Sequence, residues 1–242
     1  MKWNPLFQSA GLSLAIGFLL FGPAPVCRAD LVPIDFAPAG PVILGINGSL
    51  AYNSTTGVFH SDVVPIIYAP APASPGFANI SGTAQITIDL KVDNTGAFVS
   101  NGAGLTVTGT LSGGGIAPVS GTLLTGQITD FGAQPAGPPT WTSDGLFTIE
   151  GGALTGNIPL SAGGTMFGGF TVGQTGGFIL NAENVTNGQL GDFTSDFASS
   201  RVKVKIGPTV PVPEPASGTL ALVGSLSLGA VWLCRRRHRR HS

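Results

Sequence analysis

The chain is poor in the residues that do covalent or redox chemistry. Its 242 residues include two cysteines, Cys27 and Cys234, and three histidines. Both cysteines fall within apolar end segments, so the region between them has no disulfide, no thiolate nucleophile and no zinc–thiolate set. Charge is also sparse, at 10% Asp, Glu, Lys and Arg. Residues 30–211 hold four bases, Lys91, Arg201, Lys203 and Lys205, against eleven acids, a net charge of −7. That balance argues against nucleic acid as a partner, because neutralising phosphates needs a basic surface. Trp141, Tyr52 and Tyr68 are the only Trp or Tyr in the same stretch. They form a thin set for stacking sugars, which is the requirement for a carbohydrate-binding module that recognises an exopolysaccharide.

Catalytic groupings are missing too. His60 is the one histidine of the central region and precedes Ser61-Asp62. Neighbours on a strand point to opposite faces, so these three do not form a serine–histidine–acid set, and no Gly-x-Ser-x-Gly elbow is present. Ser112-Gly113-Gly114-Gly115 lacks the Gly-Lys-Ser/Thr that a phosphate loop needs. The residues point to no enzyme and no cofactor. Calcium is the one ion to weigh, because Asp89 with Asp93 and Asp192 with Asp196 bring carboxylates close in sequence; acidic turn residues are the commoner account of such spacing.

Glycine and proline are abundant, at 37 and 19 residues. They punctuate the centre every few positions and defeat long helices. Between them, residues 84–92, 104–111 and 201–206 alternate apolar and polar with the period of a half-buried strand. In the last of these, Arg201, Lys203 and Lys205 form one outward face. Asn47-Gly48, Asn101-Gly102 and Asn187-Gly188 read as hairpin turns, since both residue types tolerate positive φ. The Pro-rich stretches 69–76 and 133–139 read as extended loops. The expected fold is all-β, an antiparallel sandwich or barrel of roughly ten to twelve short strands.

Long apolar runs occur only at the two ends. Near the start, Lys2 precedes a largely apolar stretch from Leu6 to Phe21, and Gly22-Pro23 then breaks it. Cys27-Arg28-Ala29 places small residues where a signal peptidase reads them, so residues 1–29 are expected as a signal peptide cut between Ala29 and Asp30. A retained anchor or a lipid-modified Cys27 are the competing readings. Near the other end, Ala216 to Leu233 is 18 residues without a charge, about 27 Å of helix and close to the ~30 Å hydrocarbon core. Trp232 marks the interface, and Arg235, Arg236, Arg237, Arg239 and Arg240 form a basic cytoplasmic stop. One C-terminal transmembrane helix, at about 216–233, is expected on these grounds. The division is then a leader at 1–29, a β-rich passenger at 30–206, a Pro-rich tether at 207–211 and a tail at 212–240 with its basic end at 235–240.

Val212-Pro213-Glu214-Pro215, followed by that span and the arginine cluster, resembles the PEP-CTERM sorting signal of Gram-negative bacteria. The resemblance covers about residues 211–240. It implies an exosortase-like processing enzyme as partner, after the export machinery and signal peptidase, and cleavage near Pro213-Glu214-Pro215. It also implies membrane attachment through the helix before processing, an inner-membrane intermediate, and delivery to the outer envelope or extracellular polysaccharide matrix. Val212, Pro213, Glu214 and Pro215 are then substrate features; the two prolines keep the segment extended for a processing enzyme. The alternatives are a polysaccharide-binding module and a permanently anchored single-pass surface protein.

Overall fold

The computed structural model describes residues 31–70, 76–99, 104–137, 140–187 and 190–210. The leader, its Ala29–Asp30 cleavage point, the sorting motif, the apolar span and the basic stop lie outside the described residues. What is described is a closed antiparallel barrel. Its strands are β1 (Val42–Asn53), β2 (Val58–Ala69), β3 (Ala78–Lys91), β4 (Gly104–Gly113), β5 (Ile116–Gly137), β6 (Thr140–Gly151), β9 (Thr175–Asn187) and β10 (Phe197–Pro208). Each pairs with its neighbour in chain order, and β10 closes on β1. Between β6 and β9 the chain makes a 3-10 turn at Ala153–Thr155 and a small hairpin, β7 (Asn157–Pro159) with β8 (Thr165–Phe167).

Alternation builds the wall. In β4, Leu105, Val107 and Leu111 are buried inside while Thr106, Thr108 and Thr110 face out. In β10, Val202, Val204 and Ile206 are buried and Arg201, Lys203 and Lys205 form the outer row, as their spacing predicts. The interior is apolar and the outer wall largely polar, the reverse of a barrel built to sit in lipid with a wet lumen. Eight strands leave just enough room for side chains to fill the centre. Phe59, Trp141, Phe147 and Phe178 do so, all fully buried. Three glycines create the space for two of these rings. A Cβ on Gly126 or Gly176 would lie 2.3 or 2.4 Å from the Phe147 ring, and one on Gly145 would lie 2.4 Å from Phe178.

The two ends of the barrel are closed differently. At one end, Tyr52, Phe193 and Phe197 pack ring against ring, with centroids 5.1–5.4 Å apart. Here the β1–β2 and β9–β10 connections are tied together: Asp196 accepts from the backbone N–H and the hydroxyl of Ser54. At the other end, the 3-10 turn and the β7–β8 hairpin form a plug. Leu154, Ile158 and Phe170 are buried beneath it, and the Tyr68 hydroxyl donates to the Gly168 carbonyl.

The closed barrel is one of the two architectures expected, sandwich or barrel. Other expectations are corrected. The barrel strands are long, from 10 to 22 residues. Asn47-Gly48 is not a hairpin turn but a bulge inside β1, where Asn47 has φ 54° and the register shifts on either side of Gly48. Left-handed backbone serves bulges and turns alike. A Cβ on Gly48 would meet the Asp62 carbonyl at 2.6 Å, so the close approach of β2 also requires glycine there. Ala133–Gly137, read as loop, is the end of β5 and pairs with β6 up to Thr140. Gly207 and Pro208, assigned to a tether, belong to β10; Thr209 is hydrogen-bonded to Thr175 of the wall and Val210 to Asp35, in the segment that precedes β1. Of that tether, only Pro211 lies outside the described residues.

Candidate functional site

A polar side-chain cluster on the outer wall lies across β2 and β3. Register places His60 directly opposite Asp89, and Asp62 opposite Thr87. Period two puts His60 and Asp62 on one face, so the imidazole is held from both sides. Its Nδ1 lies 2.5 Å from Asp89 Oδ1 and its Nε2 lies 3.0 Å from Asp62 Oδ2. The Thr87 hydroxyl donates to the other Asp62 oxygen at 2.9 Å. The hydrogen bond to Asp89 is the main force raising the His60 pKa; burial opposes it and Asp62 adds to it. Partial burial works against the Asp62 carboxylate, but hydrogen bonds from His60 and Thr87 outweigh it and hold the group below its usual range. Beside Asp62 the β1 bulge opens a groove of about 480 Å³, lined by Asn47, Ser49, Thr83, Gln85 and Ser200 among others.

The chemistry open to this cluster is limited. Both ring nitrogens are occupied by carboxylates. Ser61 points the other way, fully buried, and donates its hydroxyl to the Ser49 carbonyl at 3.0 Å. Among the described residues no nucleophile is bonded to the histidine, and the arrangement ties the two strands together.

The acidic pairs weighed as calcium ligands are engaged by protein donors. Asp89 is paired with His60. Asp93 Oδ1 accepts from the N–H and hydroxyl of Thr95 and from the Ala97 N–H, closing its own turn. Asp192 does the same with Thr194 and Ser195, while Asp196 accepts from Ser54 of the β1–β2 connection. Among the described residues, no group of three or more His, Cys, Asp or Glu is placed to hold a metal ion. The aromatic set considered for sugar stacking lies inside the barrel: Trp141 and Tyr68 are fully buried and Tyr52 nearly so. Trp141 packs between Phe59 and Phe197, with centroids 5.9 Å away on each side. A glycan platform on these three rings is therefore ruled out by their burial. The spacing Trp141, Phe147, Ile149 already puts Trp141 on the apolar face of its strand.

A second feature, which the sequence did not announce, is a clasp formed by the two ends of the described chain. Residues 31–41 run as a strap over the outer wall of β6, β9 and β10. Phe36 bridges Thr209, the Ala37 N–H donates to the Pro208 carbonyl at 3.0 Å, and the Val210 N–H donates to the Asp35 carbonyl at 2.9 Å. Thr209 is pinned in turn to the Thr175 carbonyl. The Lys205 ammonium sits 4.3 Å from the centre of the Phe36 ring, a cation–π contact. Ile34 packs where Gly177 leaves room, and the Val32 N–H donates to Asp144 Oδ1 at 2.8 Å. The strap thereby covers Asp144, which is only 6% exposed. Burial, with Asp130 nearby, pushes its pKa up to about 6 despite the hydrogen bond from Val32.

No protein-family model, curated protein or solved structure matches the chain.

Proposed function

We propose that the chain is an exported passenger protein, delivered by an exosortase-like route to the envelope or extracellular matrix, and that the barrel is a non-enzymatic module presented there. The observation that carries this reading is the clasp. The leader precedes Leu31, at the start of the strap, and the sorting tail follows Val210, whose N–H is bonded to Asp35 of the same strap. Both membrane-directed segments therefore emerge from one patch of the barrel, and the opposite end is free to point away from the membrane. The packed apolar interior, the strand-tying role of His60 and, among the described residues, the lack of a thiol all fit a structural passenger. The polar outer wall suits an aqueous compartment.

The test is the intact mass and C-terminal residue of the mature protein recovered from its native host. A C-terminus at or near Pro213-Glu214-Pro215 is the expected result. A mass that retains Arg235 to Arg240 would make the tail a permanent anchor and overturn the processing step.

A further inference from the structure

We infer that the plugged end of the barrel, where the β7–β8 hairpin meets the clasp, is a face that rests on the surface of the lipid bilayer while the tail is still in place. This rests on the reading of residues 216–233 as a membrane span and adds a contact surface to it.

The first support is distribution. The three most exposed large apolar side chains among the described residues are Phe77, at 69%, Val172, at 57%, and Phe167, at 50%. All three lie at the plugged end: Phe77 precedes β3 beside the β4–β5 turn, Phe167 is in β8, and Val172 lies between β8 and β9. At the opposite end, among the described residues, Val99, at 46%, is the one exposed large apolar side chain. The second support is continuity. An apolar groove of about 620 Å³ runs from Phe167 and Met166 across Pro38 and Pro41 to Pro208. It thus joins the exposed hairpin to the point where the chain leaves the fold.

The third support is reach. Residues 211–215 separate Val210 from Ala216, and at about 3.3–3.6 Å per residue the six steps span at most roughly 20 Å. The bilayer adds several ångströms of headgroup to each side of its hydrocarbon core. The clasp is therefore held close to the headgroups, and the end that carries it has no other surface to meet at that range. Scattered apolar residues on a wall need no explanation, but three gathered at the tethered end do.

Charge identifies the lipid. Asp35 and Glu150 lie near this end, and among the described residues Lys205, the base nearest to it along β10, sits over the Phe36 ring. A face without a basic cluster gains nothing from anionic headgroups. The partner is a zwitterionic or uncharged lipid surface, and the contact is apolar, shallow and insensitive to salt.

The experiment uses the full-length chain with Cys27→Ser and Cys234→Ser, inserted into phosphatidylcholine nanodiscs. Single cysteines replace Phe167, Val172 or, as the matched exposed residue at the far end, Val99, and each is labelled with an environment-sensitive fluorophore. The expected result is blue-shifted emission at positions 167 and 172 and about twofold quenching there by spin-labelled lipid, with neither effect at 99. Three equally aqueous spectra would overturn the proposal. A blue shift without lipid quenching would assign the face to a protein partner, a second copy of the chain included, and would also overturn it. A chain that fails to enter the discs would bring down the membrane-span reading itself, a failure distinct from the other two.

Discussion

The tightest spot in the barrel gives the most exacting test of how it is packed. Gly126 on β5 faces the ring of Phe147 on β6, and Gly176 on β9 faces the same ring from the other side. In Gly126→Ala the new methyl carbon would lie 2.3 Å from Phe147 Cδ2 and 2.9 Å from the Thr148 carbonyl oxygen, where ordinary contact begins near 3.4 Å. The ring must move by about 1 Å, yet it is fully buried and already stands against Gly176. Forcing one methyl into such a site costs about 1–3 kcal/mol. With two sides of the ring confined, the upper half of that range is expected, roughly 5–10 °C in Tm for a domain of this size. Gly104→Ala is the control. Its Cβ would find its nearest neighbour at 3.8 Å, with no positive φ, so it should change stability by less than about 0.5 kcal/mol. Phe147→Leu should then absorb most of the penalty: on that background the further cost of Gly126→Ala should fall below about 1 kcal/mol, the remainder coming from Thr148. Urea and thermal unfolding followed by circular dichroism give all four values. Equal stabilities for Gly126→Ala and Gly104→Ala would refute the claim that glycine is there to make room for the ring.

Two titrations follow from the outer wall. Asp144→Asn keeps an acceptor for the Val32 N–H but removes a buried charge. The carboxyl titrates near 6 in the fold against 3.8 ordinarily, so its contribution to stability is complete below 3.8 and is lost as pH rises through 6. The variant should match the parent at pH 3.5 and exceed it at pH 7 by about 1–2 kcal/mol after solvent screening, as read by Tm across that range; a less stable variant at pH 7 would count against it. His60→Gln tests the strand tie in the opposite sense. The raised His60 pKa gives stability that is full below 6.5 and fades as pH rises through the folded value, while the lowered Asp62 pKa gives stability that fades as pH falls through its own. The gap between parent and variant should peak at about 1 kcal/mol or less between those limits, and a pH-independent gap in urea midpoints would remove the ionic tie from the account.

The strands of this barrel were legible wherever alternation was clean, as in β3, β4 and β10, because a closed wall with an apolar centre imposes period two on every strand. Closure was not legible: it depends on β10 meeting β1 about 150 residues away, and nothing local encodes that register. Asn47-Gly48 misled because a bulge and a turn ask for the same backbone. The Pro-rich stretch at 133–139 misled because proline is tolerated where a long strand runs out at the end of a sheet. The split in His60-Ser61-Asp62 was readable from period two. The Asp89 partner was not, since it comes from the neighbouring strand. Sequence composition left Trp141 open as a surface platform, whereas counting in twos from Phe147 and Ile149 places it inside. The clasp left no pattern in the sequence, because its backbone hydrogen bonds carry no residue signature and its side-chain contacts, Phe36 with Lys205 and Ile34 with Gly177, join residues far apart in the chain.

The closing strand also sets an order of events. Two of the eight seams, β1 with β10 and β9 with β10, do not exist until Phe197–Pro208 has arrived. Before then β1 and β9 are bare edges, open to pairing with other chains. On the proposed route the chain crosses the membrane from its first residue onward, so the barrel stays open until almost the whole passenger is across. The apolar run begins at Ala216, eight positions after β10 ends at Pro208. On that route the segment proposed to halt translocation would do so just as the last strand becomes free to zip. Completion of the fold and presentation of the sorting motif then fall at the same moment, and a passenger stalled short of β10 would have neither a sealed wall nor an accessible motif.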